Sequence, residues 1–377
     1  MDFSLSPEQN TLMEEVAALA DGLDDDVLRR DRESAFSEAA WRRCGEARLP
    51  GLPVPEAYGG RGCDLETTAL ALEAFARACS DEGLAFSLCS QMQCCALPVS
   101  RYGSPEQKER LLPRLCRGEV IGGNAATEPE TGSDVFAMRT TAVRDGGDYV
   151  LDGCKSCVSN GPVADLLVVY AATHPEHRQY GGISAFLVEK GTAGLEIGEN
   201  VAKIGLRTVP WCDVRLTGCR VQAACMLGEE GAGAEIFTTA MQWERLLIPM
   251  VAVGRMAATL DTCLAYARRR RQFGQAIGKH QSVANRLVQM KADLESSRLL
   301  LYRAAWLQGR GEKAVLETSL AKLVTTERRI RSCLHAIQVH GARGCREDFE
   351  IERELRNAVP GTLSSGTSEM QQRIIAR

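Results

Sequence analysis

Aromatic residues are scarce in this chain, at 5% of 377 positions, and neither sign of charge prevails: 45 Lys and Arg face 49 Asp and Glu, a net of −4. A nucleic-acid-binding surface wants a basic excess or stripe, so no nucleic-acid partner is expected. Unbroken apolar runs are short. The longest, 166–172 and 246–253, fall well below the ~18 residues of a bilayer-crossing segment, and no membrane partner is expected. The opening MDFSLSPEQ has neither a basic stretch nor an apolar core, so it does not read as a signal peptide. Histidine numbers five, without an H-x-x-x-H pair, and the C-x-x-C of Cys154 and Cys157 has no second copy, so no metal site is expected. There are 15 Cys, an odd number without framework spacing. With no leader they read as reduced thiols of a cytoplasmic protein, mostly small buried hydrophobes. Also missing are a G-x-G-x-x-G between strand and helix, a Walker loop and a G-x-S-x-G, which sets aside a Rossmann or P-loop nucleotide site.

What is present is an ordinary globular composition, 45% hydrophobic and 25% charged, in a length that suits two or three structural units. From Ser6 to about Arg117 the chain reads as helices. Ser6-Pro7-Glu8-Gln9 and Ser104-Pro105-Glu106-Gln107 each place a capping Ser before a Pro, and 65–79 repeats apolar residues at helical spacing. Residues 52–62, rich in Pro and Gly, form a turn cluster. From Val120 to about Leu227 the segments are short, β-branched and bounded by Gly and Asp. Strands are predicted at 140–143, 149–151, 166–170, 183–188 and 195–197, with Asp145-Gly146-Gly147-Asp148 as a hairpin turn. Long helices follow at 234–271, 281–308 and 311–339. Helices, then strands, then helices is an α+β order, not the alternation of a doubly wound fold.

Five motifs stand in sequence along the chain: Ala126-Thr127-Glu128-Pro129-Glu130-Thr131-Gly132-Ser133-Asp134; Gly153-Cys154-Lys155-Ser156-Cys157-Val158-Ser159-Asn160; Arg270-Arg271-Gln272-Phe273-Gly274 with Gln281; Gln338-Val339-His340-Gly341-Ala342-Arg343-Gly344; and Ser365-Gly366-Thr367-Ser368-Glu369. Together, and in this order, they resemble the acyl-CoA dehydrogenase family of flavoproteins, over the whole chain. The resemblance implies an N-terminal helical domain (1–118), a middle β-barrel (119–227) and a C-terminal four-helix bundle (228–377), assembled as a homotetramer or homodimer around FAD. It implies that Ala126, Thr127 and Ser159 contact the isoalloxazine, and that Ser133 lies near flavin and substrate. Arg270, Gln272, Phe273 and Gln281 would reach the FAD of a neighbouring subunit. Gln338, Gly341 and Gly344 would close over its adenosine half, and Thr367 and Glu369 would stand on its phosphate side. Arg and glycine-exposed backbone are the donors a pyrophosphate favours.

Family chemistry removes a Cα proton from an acyl thioester and passes a hydride to the flavin, which calls for a carboxylate base. Most relatives carry it at the position of Ser365. A subset, including isovaleryl-CoA and prolyl-carrier-protein dehydrogenases, carries it on the first bundle helix, where this chain has Met241-Gln242-Trp243-Glu244-Arg245. Glu244 is therefore the candidate base, in a setting of Trp243, Leu247 and Ile248 expected to raise its pKa. Arg245 and Ser365 are candidate substrate contacts, with the Ser365 N–H on the thioester oxygen. Cys157 replaces a Trp that many relatives set beside the flavin, which bears on access for the electron acceptor, an electron-transfer flavoprotein in much of the family. The leading expectation is FAD-dependent oxidation of an acyl, aminoacyl or hydroxyacyl thioester, leaning towards a carrier-protein-bound substrate of polyketide or nonribosomal-peptide assembly. The alternatives are a short or branched acyl-CoA substrate, or a relative that keeps the flavin fold without the oxidation.

Overall fold

Ser6 opens the first helix as read from sequence. Its hydroxyl accepts from Gln9 N, and the Gln9 side chain returns to the Ser6 amide, closing a capping box ahead of Pro7. The computed structural model describes residues 4–23 and 26–377, so Met1–Phe3 of the opening segment lie outside the described residues. The N-terminal unit holds α1 (Pro7–Asp21), α2 (Val27–Glu33), α3 (Glu38–Glu46), α4 (Leu65–Ala78), α5 (Glu82–Gln91), α6 (Leu97–Tyr102) and α7 (Pro105–Cys116). A second capping box, Ser104 with Gln107, starts α7. Between α5 and α6 the helix widens into a π-helical segment, Met92–Ala96, which sequence reading did not foresee.

The middle unit is one eight-stranded sheet: β1 (Gly122–Ala125), β2 (Thr141–Asp145), β3 (Asp148–Ser159), β4 (Leu166–Ala172), β5 (Ile183–Glu189), β6 (Leu195–Ile197), β7 (Trp211–Gln222) and β8 (Met226–Leu227). Its order is β6-β7-β3-β2-β4-β5-β8, with β1 parallel to β4. Asp145 pairs with Asp148 across the expected Gly-Gly turn, where Gly146 takes φ +63°. Three strands were missed: β1, β7 and the two-residue β8. β7 alternates inward and outward, but its inward set mixes Cys212 and Cys219 with Val214 and Leu216, which blurs the period. β1 is Gly-Gly-Asn-Ala and lacks β-propensity. Its Gly122 is required by close packing, because a Cβ there would sit 2.4 Å from Cys95 Sγ.

The last unit contains α8 (Gly233–Arg269), the hairpin strands β9 (Arg271–Gln272) and β10 (Gln275–Ala276), α9 (Gln281–Gly309), α10 (Val315–His340), α11 (Ile351–Gly361) and α12 (Ser368–Ile375). The first two predicted helices of this region are nearly right. However, Arg270 turns extended to begin the hairpin, and α10 starts four residues later than expected, after Gly311 at φ +79°. α8 corrects the reading from short apolar runs. It contains an 18-residue window of mean hydropathy 1.4, apolar and long enough to cross a membrane by composition, yet that window is 83% buried inside the protein. It is the central post of the structure, packed by α4, α9 and α10, and apolar on all sides for that reason. One apolar cluster runs from α1 through α4 and α5 into α8 and α9. A second joins α7, the sheet and the start of α8. The start of α8 is thus where the three units meet.

Candidate active site

Glu244 lies on α8 one helical turn before Ile248, near this junction. Its carboxylate accepts two hydrogen bonds. Ser365 Oγ donates to Oε1 at 2.9 Å, and Cys94 Sγ donates to Oε2 at 3.5 Å. Cys94 reaches it from the π-helical segment, whose wider turn re-aims side chains and is often found at functional sites. Sequence reading gave Ser365 a role through its N–H alone and assigned none to its hydroxyl. The fold brings Glu244 from 121 residues away, with the hydroxyl as donor and the carboxylate as acceptor.

Burial pushes the Glu244 carboxyl above its ordinary value, while the Ser365 and Cys94 hydrogen bonds and then the Arg245 and Lys322 charges pull it back. The direction agrees with the sequence expectation, but the setting is more polar than Trp243, Leu247 and Ile248 suggested. Trp243 instead lies under the Arg101 guanidinium, 5.6 Å from its ring centroid. Burial drives the Cys94 thiol far above neutral pH, so Cys94 is a fixed donor and not a competing base. Arg245, held below its usual value by burial, donates from Nε to Ser365 O at 3.3 Å. It also lines a cavity of about 640 Å³ with Arg101, Trp243 and Lys313. Pro249 lies inside α8 and has no N–H for the Arg245 carbonyl, which loosens the helix one turn beyond the base.

Of the residues expected at the flavin, Thr367 stands two residues after Ser365, Thr127 O accepts from Ser156 N, and Ser159 pairs with Trp211 across β3 and β7. Ala126 shares an apolar cluster with Met241 of α8. The Ala126–Glu128 segment is pinned from below by a buried ion pair that sequence reading missed. Lys155 Nζ donates to Ala126 O at 3.2 Å and to Glu128 Oε1 at 2.8 Å, while Glu128 also accepts from the Arg139 and Thr140 amides. Burial brings the Lys155 ammonium down to about 8. The Thr127, Ser133 and Ser159 hydroxyls have no protein partner among the described residues, and Asn124 Oδ1 on β1 is buried and unpartnered. Thr367 caps α12 through its hydroxyl, with Glu369 exposed in the first turn. Small Ala126, unpartnered hydroxyls and a capped helix start fit a planar, polar-edged ring with a phosphate tail, so the residues present suit a flavin nucleotide. Cys157 is exposed at φ +57° on a bulge of β3, and Cys154 is half-buried. Most of the cysteines are buried as expected, but Cys157 and Cys345 are not.

The second predicted set lies elsewhere. Arg270, Gln272 and Gln281 are exposed at the β9–β10 hairpin and the start of α9, and Phe273 is 95% exposed at φ +49°. Gln338 and Gly341 are exposed at the end of α10, with Gly344 buried behind them. Tyr266 and His340 stack at 4.3 Å between ring centroids and tie these two helix ends together. From Met241 to Arg269 is 28 residues of helix, about 42 Å at 1.5 Å per residue. Arg270 thus lies about 42 Å along the helix from Met241.

Comparison with known proteins identifies the family. The chain matches the acyl-CoA dehydrogenase N-terminal domain over residues 6–119, the middle domain over 123–219 and the C-terminal domain over 231–377. It is 43% identical over 343 residues to an L-prolyl-[peptidyl-carrier protein] dehydrogenase of Pseudomonas fluorescens, covering 91% of this chain and 90% of that one. A protein of the same description from a Serratia species is 39% identical, covering 100% and 98%. Isovaleryl-CoA dehydrogenase of Oryza sativa is 36% identical over 89% of this chain and 82% of its own. Among solved structures, the prolyl acyl carrier protein oxidase AnaB superposes with a TM-score of 0.96 at 42% identity over 99% of both chains. PigA, solved with FAD and proline, superposes with 0.97 at 39% identity over 100% of this chain and 98% of its own. This chain belongs to the acyl-CoA dehydrogenase family.

Proposed function

We propose that the protein is a FAD-dependent dehydrogenase of a carrier-protein-bound aminoacyl thioester, with prolyl the first candidate, and that Glu244 is its base. The observation that carries the reading is the Glu244 carboxylate, held by Ser365 and Cys94 and raised by burial, at the junction of sheet and bundle. A carboxylate set towards neutrality can take the Cα proton of a thioester and hold it on one oxygen. Its two hydrogen bonds orient it, and the burial around Ile248 and Met241 excludes water. Bound FAD supplies the acceptor for the hydride that leaves the substrate. Ala126, Thr127 and Ser159 would hold its ring, and Thr367 and the first turn of α12 its phosphates. Ser365 N–H, without a protein acceptor among the described residues, is free for the thioester oxygen.

The separation between Ala126 and Arg270 supports an assembly in which one subunit's hairpin, with Phe273 at its tip, completes the flavin site of another. Domain limits of 1–118, 119–227 and 228–377 and a cytoplasmic setting accompany this reading. The test is anaerobic titration of the yellow holoenzyme with prolyl-S-carrier protein against matched CoA thioesters. Bleaching by the carrier-bound substrate at lower concentration supports the reading. Preference for CoA overturns the carrier, and no bleaching by any thioester overturns the activity.

A further inference from the structure

The two peptide carbonyls beside the base are held by an unusual set of donors. Ser365 O accepts from Arg245 Nε at 3.3 Å and from Gln371 Nε2 at 3.1 Å. Gly366 O accepts from Gln371 Nε2 at 2.9 Å and from Lys322 Nζ at 2.9 Å. These donors come from three helices: α8, α10 and α12. With both carbonyls drawn into the bundle, Ser365 sits at φ +59° and Gly366 at φ +84°. The left-handed region is uncommon for a serine and persists only where the surroundings impose it. Neither the Ser365 nor the Gly366 amide donates to a protein acceptor among the described residues. The same turn aims the Ser365 hydroxyl at Glu244.

Lys322 is the least expected member. It lies in the middle of α10, fully buried, and Gly366 O is its only hydrogen-bond acceptor among the described residues. A buried ammonium with one neutral acceptor is costly unless a carboxylate is near, and Glu244 supplies the largest favourable charge. Gln371 already satisfies the Gly366 carbonyl, so stability of the loop alone gives no reason for a cation there.

Building on the proposed role of Glu244, we propose that Lys322 is a positioning residue for the base: its ammonium anchors the Gly366 carbonyl and so keeps Ser365 in the left-handed turn that directs its hydroxyl onto Glu244. The groups facing Glu244 are Cys89 of α5, Cys94 of the π-helical segment, Tyr170 of β4, Arg245 and Lys322. The two thiols and the phenol are pushed up by burial and stay protonated through neutral pH. Lys322 is the group whose charge can be removed without touching the carboxylate. It faces Glu244, Arg245, Glu327 and Glu369.

The test uses the holoenzyme with Lys322→Met, which keeps length and apolar bulk, and Lys322→Arg, which keeps charge. Three readouts are needed: anaerobic flavin reduction by prolyl-S-carrier protein across pH, amide hydrogen exchange of 363–368, and the thermal midpoint. The expected result for Lys322→Met is reduction slowed at least tenfold at neutral pH, an acidic limb moved to higher pH, faster exchange of 363–368 and a thermal midpoint no lower than wild type. Lys322→Arg should restore the limb. A limb left in place, or a rate that falls only with the thermal midpoint, overturns the proposal and makes Lys322 a strut. If wild type does not bleach with any thioester, the functional reading fails by itself. Exchange in 363–368 then still decides whether Lys322 anchors the loop, and unchanged exchange overturns that.

Discussion

Removing one hydroxyl should move the whole pH profile of the enzyme. In Ser365→Ala, Glu244 Oε1 loses the donor now 2.9 Å away. A hydrogen bond to a charged acceptor is worth about 1.5–3 kcal/mol, and one to the protonated acid about 1 kcal/mol. The ionised form therefore loses on the order of 1–2 kcal/mol more than the neutral form. At about 1.4 kcal/mol per tenfold, the fraction of enzyme with an ionised base falls about tenfold on the slope of the profile. The sign follows from the structure. The Ser365 bond pulls the Glu244 carboxyl down against burial, so its loss lets the carboxyl rise further. The acidic limb of kcat/KM moves to higher pH, while above the limb the rate recovers most of its wild-type value. Stopped-flow bleaching of the flavin by a sub-saturating thioester, followed over a pH series, reads this directly. A limb that stays still, or moves to lower pH, would refute the assignment of Ser365 as donor and Glu244 as the titrating base.

Glu244→Gln should slow flavin reduction by roughly 10²–10⁴, the usual contribution of a general base, while the purified protein stays yellow; retention of the wild-type rate sinks the assignment. Arg329, buried between Glu82 and Glu354 with Arg255 alongside, joins α5, α8, α10 and α11. Arg329→Met should destabilise by about 3–5 kcal/mol in denaturant unfolding. The Arg255 and Arg329 charges hold the Glu354 carboxyl well below the usual range. Its stabilisation is thus present above the ordinary carboxylate pKa and lost in strong acid, and the variant should unfold at higher pH than wild type. Lys322, brought from 10.5 down to about 8 by burial, contributes stability that is present above 10.5 and lost as pH falls to 8, about 3 kcal/mol in all. Lys322→Met should abolish that rise between pH 8 and 10.5. Phe273→Asp, at the exposed hairpin tip, should weaken flavin retention and assembly together in sedimentation, leaving helix content unchanged; a fully flavinylated assembly would show that the hairpin does not complete a neighbour's site.

The elements that were legible in the sequence are those whose cause is local. Ser6 and Ser104 announce their helices because capping is settled within four residues, and Asp145-Gly146-Gly147-Asp148 announces its hairpin because only glycine takes that turn freely. Glu244 was singled out by subtraction, a carboxylate missing at Ser365 and present on the first bundle helix, and the fold brings those two residues into hydrogen-bond contact. The remainder depends on partners far along the chain. Gly122 is a strand residue because Cys95 leaves no room for a Cβ, and nothing within β1 records that. Cys94 faces the base because five residues take a π-helical turn. Lys322 sits in Ala321-Lys322-Leu323, which reads as any helix interior, and only the packing of α8 and α12 against it turns a surface-type residue into a buried cation.

The hydrogen bond from Ser365 to Glu244 also gives a physical reason why the carboxylate occupies one of two positions and not both. The two side chains start from α8 and from the turn before α12 and converge on one buried space, their oxygens 2.9 Å apart. A second carboxylate at 365 would bring two like charges to that separation, and such a pair shares one proton instead of ionising twice. The shared proton would occupy the oxygen that must receive the one from substrate. A serine avoids this. It is short enough to leave the space to Glu244, it offers a donor where a carboxylate would offer a charge, and it leaves its own N–H on the loop unspent. Moving the base to α8 therefore requires a small donor at 365, and the cations Arg245 and Lys322 serve equally well for either placement, because each binds a backbone carbonyl of the loop and not the side chain that changed.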